Sequence, residues 1–139
     1  MSDDLRARQG FASQSFMQTL GVEVADAGKG WVTTVFRKAQ GLTQQHGFLH
    51  AGVSTAIADS SCGYSALSMA PEGADVLTIE FKSNFLRPAS GDVFEARAKV
   101  VKPGSKIMVC ECEVWETQPG ERLVMTMTAT MFIMAREDD

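Results

Sequence analysis

Both histidines of the chain, His46 and His50, stand close together behind a pair of amides, Gln44 and Gln45, and Asp59 follows nine residues after His50. His50 opens a proline-free stretch dense in small residues, among them Ala51, Gly52, Ser54, Ala56, Ala58 and Ser61. That composition predicts a closely packed helix from His50 to about Met69, ended by Pro71-Glu72-Gly73. An ionised aspartate inside such a helix is costly unless it is hydrogen-bonded or faces a cavity. Asp59 therefore reads either as a carboxylate bonded by neighbouring hydroxyls or as a catalytic carboxylate lining a cleft. The helix start adds a second element. The first backbone N–H groups of a helix lack internal partners and carry positive partial charge, which can stabilise an oxyanion on a carbonyl. Ala51 and Gly52 have no bulk to block an approach. The plainer reading is an ordinary helix start whose His50 side chain caps a neighbouring loop.

Rival chemistries lack their residues. Gly52-Val53-Ser54-Thr55-Ala56 faintly resembles a serine-hydrolase elbow, but that arrangement has its histidine after the nucleophile, and both histidines here precede it. Cys62 lies twelve residues beyond His50, about 18 Å along a helix, out of reach of an imidazole base. No phosphate loop of Walker or Rossmann spacing occurs. Two histidines without carboxylates at matching spacing do not make a metal site, and Cys110 and Cys112 lack a second ligand pair, so no metal is expected. The three cysteines, Cys62, Cys110 and Cys112, read as buried small hydrophobes of a reducing, cytoplasmic protein.

These residues need a scaffold. A chain of 139 residues and 15.0 kDa predicts a single domain spanning 1–139. Irregular helical spacing of Leu5, Phe11, Phe16, Met17 and Leu20 predicts an N-terminal helical segment within 1–20. Gly21–Ala27 and Trp31–Lys38 read as a hairpin around Gly28-Lys29-Gly30, and 41–49 as a loop. After the helix come four runs of period-two alternation. In the first, Leu77, Ile79, Phe81 and Phe85 alternate with Thr78, Glu80, Lys82 and Asn84; the last carries Met125, Met127 and Met131 on one face. Sequential strands joined by short turns predict one antiparallel sheet, and a helix apolar all round must be wrapped by it or shielded by another subunit as well, an α+β architecture. The methionines read as core, or as a compliant acyl pocket. Net charge of −4 and pI 5.2, with no basic run, argue against nucleic acid or an anionic membrane surface as partner. The acidic start Met1-Ser2-Asp3-Asp4 is not read as a secretory signal, and no apolar run reaches the roughly 20 residues of a membrane span.

The segment from Gln44 to Val53, followed by Ala58-Asp59, resembles the signature of hotdog-fold acyl-CoA thioesterases of the phenylacetic-acid-degradation (PaaI-like) type. That pattern runs Asn, two residues, Gly, two residues, His-Gly-Gly, with an Asp nine residues after the His; here Gln44 stands for the Asn and Ala51 for the first Gly after His50. Phe85-Leu86-Arg87-Pro88-Ala89 also resembles the family's strand end. The resemblance covers nearly the whole chain. It implies a hotdog fold, one long central helix wrapped by an antiparallel sheet of about six strands. It implies Asp59 as nucleophile or general base, the Ala51 N–H as donor to the thioester carbonyl, and Gln44 as a hold on carbonyl or water. His50 would orient the loop or face the leaving sulfur, and the Thr78 hydroxyl would position the attacking water. Arg87, Lys102 and Lys106 become candidates for the phosphates of coenzyme A, which enters only as part of an acyl-CoA substrate; no other cofactor is implied. Other readings are a hotdog dehydratase or hydratase and a non-catalytic acyl-CoA-binding protein.

Ala51 and Asp59 are eight residues apart, about 12 Å along a helix axis, whereas a reacting carbonyl carbon must lie about 3 Å from both attacker and oxyanion donor. One helix cannot serve one thioester with both groups. Two antiparallel helices across a two-fold axis can, which matches the dimer the resemblance implies, paired further as a homotetramer, a dimer of dimers.

Overall fold

The structure is a computed structural model and describes residues 1–135. Two short helices open it, α1 (Asp3–Ser13) and α2 (Ser15–Leu20). Ser2 caps α1 by accepting the Leu5 N–H at 3.2 Å, and Asp3 and Asp4 lie at the positive end of the helix dipole. Gly21 stops α2 at φ 71°, a left-handed backbone that favours glycine. The hairpin β1 (Glu23–Gly28) and β2 (Trp31–Arg37) leads through a loop to α3 (Ala51–Leu67). Four long strands follow: β3 (Asp75–Phe85), β4 (Val93–Lys102), β5 (Ile107–Gln118) and β6 (Arg122–Met134).

All six strands form one antiparallel sheet in the order β1-β2-β4-β5-β6-β3. The helix α3 lies across one face and touches β2, β3, β4, β5 and β6. This is the expected hotdog arrangement. Sequential adjacency, however, fails once. The strand β3 does not pair with β4 but sits at the far edge beside β6, and β4 fills the edge that β2 leaves open when the chain departs into α3.

The helix is shorter than its composition predicts, ending at Leu67 with Ser68 as cap. Nor is it buried all round. Val53, Ile57, Ala58, Ser61, Cys62 and Ala66 form a buried stripe at helical spacing. The opposite side is half-exposed, Tyr64 included, although α1 packs so close there that a Cβ on Gly10 would strike the Tyr64 ring. Small size lets the stripe approach the sheet closely, and its hydroxyls are satisfied. Ser61 Oγ lies 3.1 Å from Thr34 Oγ1 on β2 and donates to the Ile57 carbonyl at 2.7 Å. Around it Phe36 stacks on Phe94 with centroids 5.5 Å apart, and the free cysteines Cys62, Cys110 and Cys112 are buried.

The inward faces of β4, β5 and β6 follow the alternation. Phe94, Ala96, Met108, Val114, Met127 and Ala129 are all buried. The face assignment of β3 needs correction. A bulge between Thr78 and Glu80 leaves Ile79 without a partner, so Thr78 opposes the inward Met131 while Phe81 opposes the inward Ala129. One inserted residue shifts the period-two pattern by one, and Leu77 and Phe81 point to opposite faces. Leu77, Ile79, Phe81 and Phe85 remain between 43% and 55% exposed on this edge strand.

The closeness of α3 to the sheet makes a direct prediction. Ala58 has no exposed surface. Replacing it with leucine should destabilise the fold by about 1–3 kcal/mol through overpacking, measured as a lowered denaturation midpoint in urea.

Candidate active site

The start of α3 is held by three backbone hydrogen bonds. Leu49, nearly fully buried, bridges to Thr43 and donates its N–H to the Ala89 carbonyl at 2.9 Å. The His50 N–H donates to Leu42 at 2.9 Å, and the Val53 N–H to His50 at 2.9 Å. His50 caps the helix with its own side chain, Nδ1 accepting the Gly52 N–H at 2.7 Å. That bond requires an unprotonated Nδ1. The imidazole is thus engaged with the first turn of its own helix rather than with a neighbouring loop. The Ala51 N–H is left with no hydrogen-bond partner among the described residues. It is exposed at the positive end of the helix dipole.

Ala51 borders a cleft of about 480 Å³ with Gln44, Phe48, Phe85, Arg87 and Met125. Gln44 shapes the loop before the helix. Its Oε1 accepts the N–H groups of His46 and of Phe48, the latter at 3.3 Å, and its backbone N–H donates to the Phe48 carbonyl at 2.9 Å. The side-chain amide NH₂ is the part not used in that turn. Gln45 is exposed and does not line the cleft, which separates the two neighbouring amides.

Asp59 opens into a second cavity, about 280 Å³, together with Gln14, Tyr64, Val76, Thr78 and Met131. Thr78 Oγ1 donates to Asp59 Oδ1 at 2.6 Å. The carboxylate thus has both supports its position demanded, a hydroxyl bond and an opening. The hydroxyl reaches Asp59 because Thr78, opposite the inward Met131 and ahead of the bulge, lies on the helix-facing side of β3. Asp59 and Ala51 face different cavities, as their spacing on α3 requires.

The three candidate cations also divide. Arg87 lines the Ala51 cleft and anchors Nη1 on the Leu123 carbonyl at 2.7 Å. Lys102 and Lys106 flank the β4–β5 turn and line neither cavity. That turn lies at the Asp59 end of the sheet, since Ile133 donates its N–H to the Lys106 carbonyl at 2.8 Å and pairs with Val76. Of the methionines, Met125 lines the first cavity and Met131 the second, while Met108 and Met127 are core.

The structure adds residues that sequence reasoning passed over. Gln14, from the N-terminal helical segment, reaches the Asp59 cavity and bonds the Tyr64 hydroxyl at 3.2 Å. Ser54 and Phe48 line the Ala51 cleft. No spacing in the sequence signals any of them, because each arrives through chain crossing or helix facing. The thiols can be set aside. The adjacent Cys112 and burial hold Cys62 far above the ordinary thiol range, and burial lifts Cys110 to about 12. A thiol kept protonated is a poor nucleophile. Among the described residues there is no cluster of metal-ligating side chains and no helix long and apolar enough to cross a membrane.

Comparison with known proteins bears on this geometry. The pattern of the thioesterase superfamily matches residues 46–123. The crystal structure of a thioesterase family protein from Silicibacter pomeroyi is 45% identical and superposes with a TM-score of 0.91, covering 94% of this chain and 97% of that one. The PaaI protein of the E. coli phenylacetic acid degradation operon has the same fold at 20% identity, with a TM-score of 0.84 over 96% of this chain and 97% of its own. A 1,4-dihydroxy-2-naphthoyl-CoA hydrolase of Listeria monocytogenes is 23% identical over 116 residues, 84% of this chain and 93% of that protein.

The cap at the helix start can be tested by stability alone. His50→Ala should cost about 1 kcal/mol, the usual loss when an N-cap acceptor is removed, and His50→Asn should recover most of it. Urea denaturation of the three proteins measures both.

Proposed function

The chain belongs to the thioesterase superfamily, and from that premise we propose that it hydrolyses an acyl-CoA thioester to the free acid and coenzyme A. One observation carries the reading. A partnerless N–H at Ala51 and a Thr78-bonded carboxylate at Asp59 stand on one helix, each open to its own cavity. Neither cavity alone holds both an attacker and an oxyanion donor. Two protomers related by a two-fold axis supply both, twice. The edge strand supports that pairing. With its backbone row open and large apolar side chains exposed, β3 is the kind of edge that another chain extends. On the outward face Leu77, Phe132 and Ile107 lie in register and exposed, a surface suited to joining two such dimers into a tetramer.

In the proposed reaction the acyl group lies along Phe48, Phe85, Leu86, Val124 and Met125, which favours a medium or aromatic chain. The Ala51 N–H, assisted by the Gln44 amide, takes up negative charge on the thioester oxygen. Asp59 of the other protomer acts as general base or as nucleophile. As base it takes a proton from water held by Thr78; the new C–O bond forms, the C–S bond breaks, and the thiolate of coenzyme A leaves with a proton. As nucleophile its oxygen bonds the acyl carbon as the C–S bond breaks and the coenzyme A thiolate leaves, and water then opens the resulting acyl anhydride to the free acid and the carboxylate. Isotopic oxygen from labelled water enters Asp59 in a single turnover only by the second route. Arg87, with Lys102 and Lys106 at the opposite end of the sheet, are the proposed contacts for the coenzyme A phosphates. No metal or further cofactor takes part in this scheme.

Asp59→Asn is nearly isosteric and should lower turnover about 10²–10⁴-fold in a thiol-trapping assay over a panel of acyl-CoAs, with the fold intact. Retention of more than about a tenth of the wild-type rate would remove Asp59 from the mechanism.

The shared site predicts complementation. Ala51→Pro deletes the donor while proline remains tolerated in a first helical turn, and should cost about 10²–10³-fold. Mixed with Asp59→Asn under subunit exchange, it should give heterodimers with one intact site and one doubly defective site. Activity should then return toward half per dimer. A verified exchange without recovery rules the shared site out.

A further inference from the structure

Glu116 on β5 is the only charged side chain buried among the described residues, and no step of the proposed reaction uses it. Among the described residues no Lys or Arg lies within ion-pair distance of it. Backbone holds it instead. Oε1 accepts the N–H groups of Ser90 and Gly91, each at 2.9 Å, and faces Ser90 Oγ at 3.5 Å. Those residues lie in the crossover loop between β3 and β4. The loop approaches as closely as bare backbone permits, because a Cβ on Gly91 would lie 2.9 Å from Glu116 Cδ and 2.7 Å from the Gln118 carbonyl. Next in the loop, Ala89 offers its carbonyl to the Leu49 N–H at 2.9 Å. Leu49 stands two residues before Ala51.

We propose that Glu116 is a positioning residue for the Ala51 oxyanion donor, acting through the Ser90–Gly91 backbone and the Ala89–Leu49 hydrogen bond. The proposal rests on the thioesterase reading for its catalytic consequence, though not for the mechanical link itself. Two successive N–H groups gathered on one oxygen fix the height of the loop over the sheet, and the loop carbonyl fixes the segment that launches α3. An apolar side chain at this position offers no acceptor, and it would leave the Ser90 and Gly91 N–H groups unsatisfied and the loop without its anchor. Displacing a catalytic group by about 1 Å costs on the order of 10² in rate.

Three variants and two kinds of readout test it. Glu116→Met keeps length and loses the acceptor; Glu116→Gln keeps an acceptor oxygen; Gly91→Ala pushes the loop away with the carboxylate intact. In Glu116→Met, amide exchange at Leu49 should speed up about tenfold or more, with exchange in the β4–β5 core unchanged, and the Ala51 amide resonance should shift. In the same variant kcat should fall about 10- to 100-fold with KM within about threefold. Glu116→Gln should lose less than about fivefold in kcat, and Gly91→Ala should behave like Glu116→Met. Should Glu116→Met fail to fold, Gly91→Ala decides. Leu49 exchange and Ala51 resonance unchanged in a folded variant overturn the proposal, as does a uniform loss of protection with kcat and KM worsening together. If the exchange effect appears but the wild type hydrolyses no acyl-CoA, the positioning link stands and the proposed function fails.

Discussion

Ala51 and Asp59 stand eight positions apart on a rigid helix, and the proposed function rests on that separation. A helix cannot bend enough to bring the two groups to one carbonyl. Each stands separately, at its own end of α3, and the proposed site takes one of the two groups from each of two copies. Preparation at the Ala51 end means leaving one N–H free while its neighbours are engaged: His50 takes the Gly52 N–H and the Val53 N–H turns back to His50. Preparation at the Asp59 end means a hydroxyl at hydrogen-bond distance and an opening to the outside.

The sheet is shaped by the same requirement. If β3 followed the order of the chain it would be an inner strand beside β4. Placed at the edge beside β6, it leaves its outer backbone row open along the flank where α3 is half-exposed. Its bulge at Ile79 turns Thr78 toward Asp59 at one end and Phe81 and Phe85 to the same helix-facing side further on. Without the bulge one of those two groups would face away from α3. The crossover loop that this placement requires, running from Leu86 to Asp92, carries the carbonyl that steadies Leu49. Topology and site are thus joined by a single loop.

Polar groups inside this core are few, and each closes a specific contact. Ser61 meets Thr34 between α3 and β2. Glu116 gathers two loop N–H groups where no lysine or arginine is near. The small residues of α3 make the first possible by letting the helix settle close to the sheet, and Gly91 makes the second possible by letting the loop approach Glu116. A bulkier stripe would hold the helix away and leave such groups unsatisfied, at a cost comparable to a lost buried hydrogen bond.

Much of this was legible in the residues themselves. Small-residue density marked α3 because only a helix buries such a stretch without strain, and period-two alternation marked the inward faces of β4, β5 and β6 because side chains alternate across a strand. The interval from His50 to Asp59 singled out the two groups on which the proposed site is built, one at the start of α3 and one further along it. Sequence alone did not reveal the edge position of β3, the phase shift at Ile79 or the half-exposed side of α3, since each depends on which strand fills an open edge once the chain has turned away. The choice of Gln44 over Gln45, the capping by His50 and the arrival of Gln14 beside Asp59 were likewise decided by the fold. The part played by Glu116 is the clearest case. On β5 it reads as one more residue of an alternating strand, and only the loop that crosses over it, from elsewhere in the chain, makes its carboxylate a support for the start of α3.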